Sequence, residues 1–270
     1  MIFDLKYISI VMKYTIEQKT IVNELYEAGF GKSEIARKTS IPRSTIKGWL
    51  NKKTKEYIKQ LKTETILDIK EYLDNEQLKS AYSYIFGVYL CDGYVYKIQK
   101  HNSFRLRLYN DVKYPENTKE WAEKLSVILP NNKITIKLDK NTKSAVVNCY
   151  SNKLAILFPQ NGKGKKHERK LYLEDWQKEI IDEYPEMFIR GCFQSDGCIY
   201  DHKWKKGNKL YRKYVFVNKS EDIIDFFLYA LNLIGIKKEK YFSKCRNLFV
   251  IQNFSKHDLE KLKSIIPNKE

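Results

Sequence analysis

The 270-residue chain contains no run of about 18 apolar residues, the length a helix needs to span a bilayer, so no transmembrane helix is expected. Histidine is scarce, at four. The five cysteines (Cys91, Cys149, Cys192, Cys198, Cys245) form neither a CxxC pair nor a set with histidine at zinc-ligand spacing, which excludes a zinc finger. Their odd number suits reduced structural thiols better than a disulfide scaffold. Acid is the minority charge: 33 aspartates and glutamates stand against 50 lysines and arginines, a net +17 with a pI near 9.4. Such an excess attracts polyanions at long range, so nucleic acid is the expected partner, ahead of an anionic membrane. Wholesale disorder is excluded, because 43% hydrophobic and 14% aromatic residues supply a core. The opening MIFDLKYISIVMKY has an aspartate before its lysine and no small-residue cleavage site. No signal peptide is expected, and the compartment expected is the cytoplasm, or an organelle if the gene is organellar.

Four segments are expected: 1–55, a small all-α domain; 56–79, a charged and helical connector without Gly or Pro; and two similar units over 80–172 and 173–270. In the first, Ile21, Leu25 and Tyr26 mark a helical stripe ending at Gly29, Ile35 and Ala36 a second helix, and Ile46, Trp49 and Leu50 a third. The break Ser40-Ile41-Pro42 puts proline at the first turn of the third helix, where its missing N–H is harmless. Residues 32–51 resemble a helix-turn-helix, with Ala36 as the small contact and Ile41, Ile46 and Trp49 facing inward; Ser40 departs from the glycine usual in that turn. By that resemblance Arg43, Ser44, Lys47 and Asn51 are exposed to meet the DNA groove.

The rest of the chain carries an internal repeat. Ile85-Phe86-Gly87-Val88-Tyr89-Leu90-Cys91-Asp92-Gly93 matches Ile189-Arg190-Gly191-Cys192-Phe193-Gln194-Ser195-Asp196-Gly197, with the aspartates 104 residues apart. Downstream features follow in the same order, and each half reads αββαββα. Gly87 with Cys91, and Gly191 with Ser195, lie four apart on one helical face and leave room for two backbones to approach. Asp92 and Asp196 then fall at helix C-termini, where the macrodipole disfavours a carboxylate by up to about 1 kcal/mol. Gly93 and Gly197 suit a left-handed residue after the cap. Carboxylates and helix-end carbonyls are hard oxygen donors, and a divalent cation, Mg²⁺ or Mn²⁺, reconciles the charges.

These paired motifs resemble the LAGLIDADG homing endonucleases in their single-chain form. The resemblance implies an α+β fold in which two pseudo-symmetric units form a DNA-binding saddle. It further implies metal-dependent hydrolysis of both strands of a long, non-palindromic target by a monomer, leaving short 3′ overhangs. Asp92 and Asp196 would be catalytic and metal-binding, helped by the backbone carbonyls of Cys91 and Ser195, and Gly87 and Gly191 would form the helix interface. Leu90 and Gln194 stand where the family usually has a further acid. A basic residue near the scissile phosphate is also implied, and the Gly-Lys-rich segment 158–176 offers Lys165 or Lys166.

The strands supply a surface. In SFRLRLYN, Phe104, Leu106 and Leu108 alternate with Arg105 and Arg107, which suit guanine edges or phosphates. In the second half Lys213 is the counterpart of one of these arginines, and Tyr200, His202 and Trp204 share a face. His202 has no second histidine nearby and is not read as a metal ligand or base. Two other readings stay open: a DNA-binding regulator that keeps the scaffold without cleaving, and an intron RNA maturase. An intein is not expected, since the chain starts at Met1 and ends PNKE.

Overall fold

The computed structural model describes residues 16–50, 69, 73–98, 103–139, 143–203 and 210–266. Most of the connector, 56–68 and 70–72, lies outside the described residues, as do Asn51, Trp204 and Lys205. The chain divides into two compact units, 1–72 and 73–270. Among the described residues no helix is long and apolar enough to cross a membrane.

In the first unit, α1 (Ile16–Glu27), α2 (Lys32–Thr39) and α3 (Arg43–Trp49) enclose Val22, Ile35, Ile41 and Ile46, with Leu25, Phe30, Ala36, Trp49 and Leu50 packed around them. The phase of α1 differs from the expected stripe. Ile21 and Tyr26 are exposed, and the inward face runs through Lys19 and Val22. A lysine can serve there because its aliphatic stem buries; its ammonium lies 5.6 Å from the Trp49 ring centre, and burial lowers its pKa. Ser40 closes α2 in the left-handed region (φ 56, ψ 23), the conformation that makes glycine usual at this turn.

The second unit is a repeat in structure as in sequence. From α4 (Glu76–Asp92) the chain passes through β1 (Gly93–Lys97), β2 (Phe104–Asp111), α5 (Pro115–Ile128), β3 (Thr135–Asp139), β4 (Ser144–Ser151) and the single turn α6 (Leu154–Leu157). A connector holding a 3₁₀ turn (Lys166–Glu168) and α7 (Asp175–Glu183) leads to α8 (Pro185–Asp196). Then come β5 (Gly197–Lys203), β6 (Leu210–Asn218), α9 (Glu221–Leu233), β7 (Tyr241–Ser243), β8 (Leu248–Ile251) and α10 (Lys256–Ile265). Both sheets are antiparallel, ordered β1-β2-β4-β3 and β5-β6-β8-β7. Helix α7 is an addition to the expected αββαββα pattern, started by a reciprocal Glu174–Gln177 capping box.

The core of the unit is the α4–α8 pair. Residues Ala81 to Leu90 are all buried, as befits a helix surrounded by protein. A Cβ built on Gly87 would stand 2.6 Å from the Phe188 carbonyl oxygen and 2.9 Å from the Cys192 nitrogen. One on Gly191 would overlap the Tyr84 oxygen and come 3.1 Å from the Val88 nitrogen. The two glycines therefore make a reciprocal backbone-to-backbone contact.

Candidate active site and nucleic-acid interface

Helices α4 and α8 end at Asp92 and Asp196, both half-buried, and each runs directly into the first strand of its repeat. The caps differ from the expected left-handed turn. Gly93 (φ −103, ψ 154) and Gly197 (φ −82, ψ 149) are extended, and each N–H donates back to the helix, to Tyr89 O and Phe193 O. Glycine is needed for space: a Cβ on Gly93 would sit 2.5 Å from the Tyr89 Cα, and one on Gly197 would overlap the Phe193 ring.

The adjacent lysines 165 and 166 part company. Lys165 is exposed and pairs with Glu168 at 3.2 Å. Lys166 turns inward and donates to the carbonyls of Tyr89, Leu90 (3.0 Å) and Gly93 (2.6 Å), with the Tyr89 ring 4.3 Å away. An ammonium has three hydrogens, and three carbonyls at the negative end of α4 receive them. Burial lowers its pKa to about 8, while Cys91, Asp92 and Asp196 pull the other way. Both aspartates thus act on one ammonium, although they belong to different repeats. Burial likewise pushes the Cys91 thiol up, with Cys192 beside it and both carboxylates adding to the effect. Part of the electrostatic conflict of two carboxylates at helix C-termini is relieved within the chain, by Lys166.

Asp196 has a partner that reading along the chain did not reveal. Asn218, at the end of β6, donates to its Oδ2 at 2.6 Å. Gly93 pairs with Leu108 as Gly197 pairs with Phe216, so Asn110 is the first-repeat counterpart of Asn218. Asn110 instead donates to Tyr114 O (2.7 Å) and Thr118 Oγ1 (2.8 Å).

The two departures from the acidic pattern also have a structural reason. Leu90 is fully buried. Gln194 accepts from the Tyr84 hydroxyl and from Trp121 Nε1 (3.4 Å), and donates to Glu120 at 3.1 Å; Glu120 in turn pairs with Arg190 at 2.6 Å. A carboxylate at 194 would face Glu120 in a buried network, where like charges are costly.

Among the described residues no group of three or more His, Cys, Asp and Glu could hold a metal. Two carboxylates close to main-chain oxygens fit a hard cation such as Mg²⁺, which keeps its waters and draws further ligands from a substrate phosphate. Asp92 and Asp196, with the carbonyls of Cys91 and Ser195, are the residues that would hold it.

The open face of the first sheet carries rows set by register: Tyr96, Arg105 and Tyr150 in one, and Tyr94, Arg107, Asn148 and Thr135 in the next. On the second sheet Tyr200 pairs with Lys213, so Lys213 is the counterpart of Arg105, and Val215 that of Arg107. Tyr200 and His202 share that face. In the first unit Arg43, Ser44 and Lys47 are exposed on α3.

Two four-stranded antiparallel sheets of equal connectivity, joined through a glycine-mediated helix pair that ends in two aspartates, define the LAGLIDADG homing endonuclease fold. Residues 183–267 match the LAGLIDADG-like domain family, and residues 13–56 match the CENP-B N-terminal DNA-binding domain. Among solved structures, the homing endonuclease I-DmoI in complex with DNA and Mn is similar at 16% identity and a TM-score of 0.50, over 72% of this chain and 99% of that one. A variant of I-DmoI with its target DNA in the presence of Mg matches at 16% and 0.51, over 73% and 100%. At this identity the likeness shows the fold. No curated protein matches the sequence.

Proposed function

We propose that the protein is a site-specific endonuclease that hydrolyses both strands of duplex DNA and leaves short 3′ overhangs. The observation that carries this reading is the geometry of the two central helices, which pack through Gly87 and Gly191 and end at Asp92 and Asp196, with the Lys166 ammonium donating to the Leu90 and Gly93 carbonyls at the end of α4. I-DmoI, solved with its target DNA and with Mn or Mg, supports duplex DNA and a divalent cation as the partners. When bound, such a cation lowers the pKa of a water and neutralises phosphate charge. The chain's own part is to hold the ligands in place. The α4–α8 contact fixes the spacing of the two carboxylates, Asn218 orients Asp196, and Lys166 keeps a positive charge beside the site for a phosphate oxygen or the leaving 3′ oxygen. The open sheet faces would hold the duplex, and Arg43, Ser44 and Lys47 of the first unit would add a second DNA contact.

The test is cleavage of a randomised duplex library with Mg²⁺, run beside gel-shift binding. Asp92→Asn and Asp196→Asn should each reduce cutting to background and leave binding within a few-fold, and EDTA should stop the unaltered chain. Undiminished cutting by either variant would remove the site assignment. Binding with no metal-dependent cut by the unaltered chain would favour a DNA-binding regulator, and tight binding of RNA alone would favour a maturase.

A further inference from the structure

Asn148 lies in the middle of β4, is 1% exposed, and uses both ends of its amide. Its Nδ2 donates to the Val146 carbonyl at 2.9 Å, and its Oδ1 accepts from Arg105 Nη2 at 2.7 Å. The bond to Val146 decides which way the amide points. The oxygen is therefore always presented to the guanidinium, the outward-facing charge of the neighbouring strand. Two tyrosines complete the seat. The Tyr96 hydroxyl accepts from Arg105 Nη1 at 3.1 Å, and the Tyr150 ring centre lies 5.2 Å from the guanidinium carbon. A guanidinium has five N–H donors; two are used here, one on each Nη, which leaves one hydrogen on each to act as a fork. Guanine offers two acceptors, O6 and N7, in the major groove, and a planar fork matches them. A fork held in place before DNA arrives loses less side-chain freedom on binding, and adenine, which presents a donor in place of O6, meets a group that cannot turn away.

The second repeat has the same strand position but a shorter ladder beside it. Lys213 takes the place of Arg105 beside Tyr200, but β6 pairs with β8 only over Phe216–Asn218. By register the positions of Asn148 and Tyr150 fall on Gln252 and Phe254, just beyond the end of β8, where among the described residues no ladder pairs them with β6. An ammonium is also a point charge without a plane, better suited to a phosphate than to a base edge.

Resting on the nuclease reading above, we infer that base discrimination is concentrated in the half-site bound by the first repeat. There Asn148, as a positioning residue, locks Arg105 onto a guanine, whereas Lys213 in the second repeat contributes contact insensitive to sequence. Duplexes selected from a random library by the full chain should show a dominant G·C pair at one position of one half-site. Asn148→Ala should relax the preference at that pair about tenfold, a loss of about 1.4 kcal/mol of discrimination, and leave the other positions unchanged. Asn148→Asp, which keeps an acceptor on the guanidinium but cannot donate to the Val146 carbonyl, should recover part of it. Arg105→Lys, at a half-buried position on the open face, should relax the same pair even if Asn148→Ala fails to fold. Lys213→Ala should weaken all sequences alike and reduce the salt slope by about 1. An Arg105→Lys profile identical to the unaltered one, or an Asn148→Ala loss spread evenly over all positions, would overturn the inference. A chain that selects no duplex at all would remove the nuclease reading with it, whereas one that cuts a site lacking any Arg105-dependent pair would overturn this inference alone.

Discussion

In the first repeat the end of α4 is met by an ammonium, Lys166 on three carbonyls; in the second the end of α8 is met by an amide, Asn218 on Asp196. The first sheet offers two arginines among tyrosines, while the second offers Lys213 and Val215 at the same registers. Strand order, helix order and the central glycine are nonetheless shared. The comparison separates two demands. The backbone must stay symmetric, because the two central helices pack on each other by the same contact seen from both sides. Side chains away from that contact are free to diverge, and they have.

The contact itself should be the least tolerant part. Alanine at Gly191 would gain about 1 kcal/mol of helix propensity, but its Cβ would overlap the Tyr84 carbonyl, and overpacking against backbone that cannot move costs about 3 kcal/mol or more. The clash wins. Gly191→Ala should shift the urea midpoint sharply downward or prevent folding, with Gly87→Ala close behind. If both variants unfold like the unaltered chain, the close approach of the helices is wrong, and with it the pairing of the aspartates.

Next in size is the division of labour at the helix ends. Lys166→Met removes the charge beside both carboxylates and leaves α4 carbonyls without their donor, so cutting should fall about 100-fold, the lower end of what one preorganised electrostatic group contributes. Asn218→Ala leaves Asp196 charged but less well oriented, for which about tenfold is expected, the low end for outer groups that orient ligands. On supercoiled plasmid bearing one site, Asn218→Ala should accumulate nicked circles cut in one strand, whereas Lys166→Met, which removes a charge shared by both carboxylates, should slow both. Equal slowing of both strands by Asn218→Ala as well would mean that the two ends work as one site.

How much of this was legible along the chain depended on distance and on turns. The Asp-Gly repeat was, because helix, carboxylate and glycine are contiguous, and the alternation in SFRLRLYN placed Arg105 and Arg107 together on one face. Asn218 was not, since only the pairing of β5 with β6 brings it back to Asp196. Lys165 and Lys166 are indistinguishable by composition, and a three-residue 3₁₀ turn decides which faces inward. For Gly93 and Gly197, a glycine after a helix suggests a left-handed residue, whereas the crowding from Tyr89 and Phe193 that requires glycine appears only once the helix has formed. In α1 the inward face runs through Lys19 and Val22 and not Ile21 and Tyr26, because a lysine's aliphatic stem can lie in a core where apolar periodicity finds no marker. Helix α7 did leave a signal, Glu174 three residues before Gln177 and ahead of Trp176, Ile180 and Ile181, but it begins at the very end of the Gly-Lys-rich segment 158–176 and is masked by it.

The smallest expected effect lies in the helices that close each repeat. In the first, α6 is one turn, and its cap residue Lys153 makes no side-chain bond to it. In the second, α10 starts with a reciprocal box: Ser255 Oγ accepts from the Asp258 N–H at 3.1 Å, Asp258 Oδ2 accepts from the Ser255 N–H at 2.9 Å, and Lys238 pairs with the same carboxylate at 2.8 Å. Burial alone would raise the Asp258 pKa, but Lys238 and Ser255 outweigh it and hold the carboxyl below its usual range. A folded-state pKa that is depressed contributes stability above the unfolded value, near 3.9, and loses it as pH falls through the folded one. Asp258→Asn should therefore cost about 1 kcal/mol at pH 7, the usual worth of a cap, and the gap between the two chains in urea unfolding should narrow only as pH drops below about 4. Lys153→Ala, at the uncapped helix, should show no such pH-dependent gap. A gap for Asp258→Asn that stays the same at pH 3 would show that the carboxylate acts there by shape and not by charge.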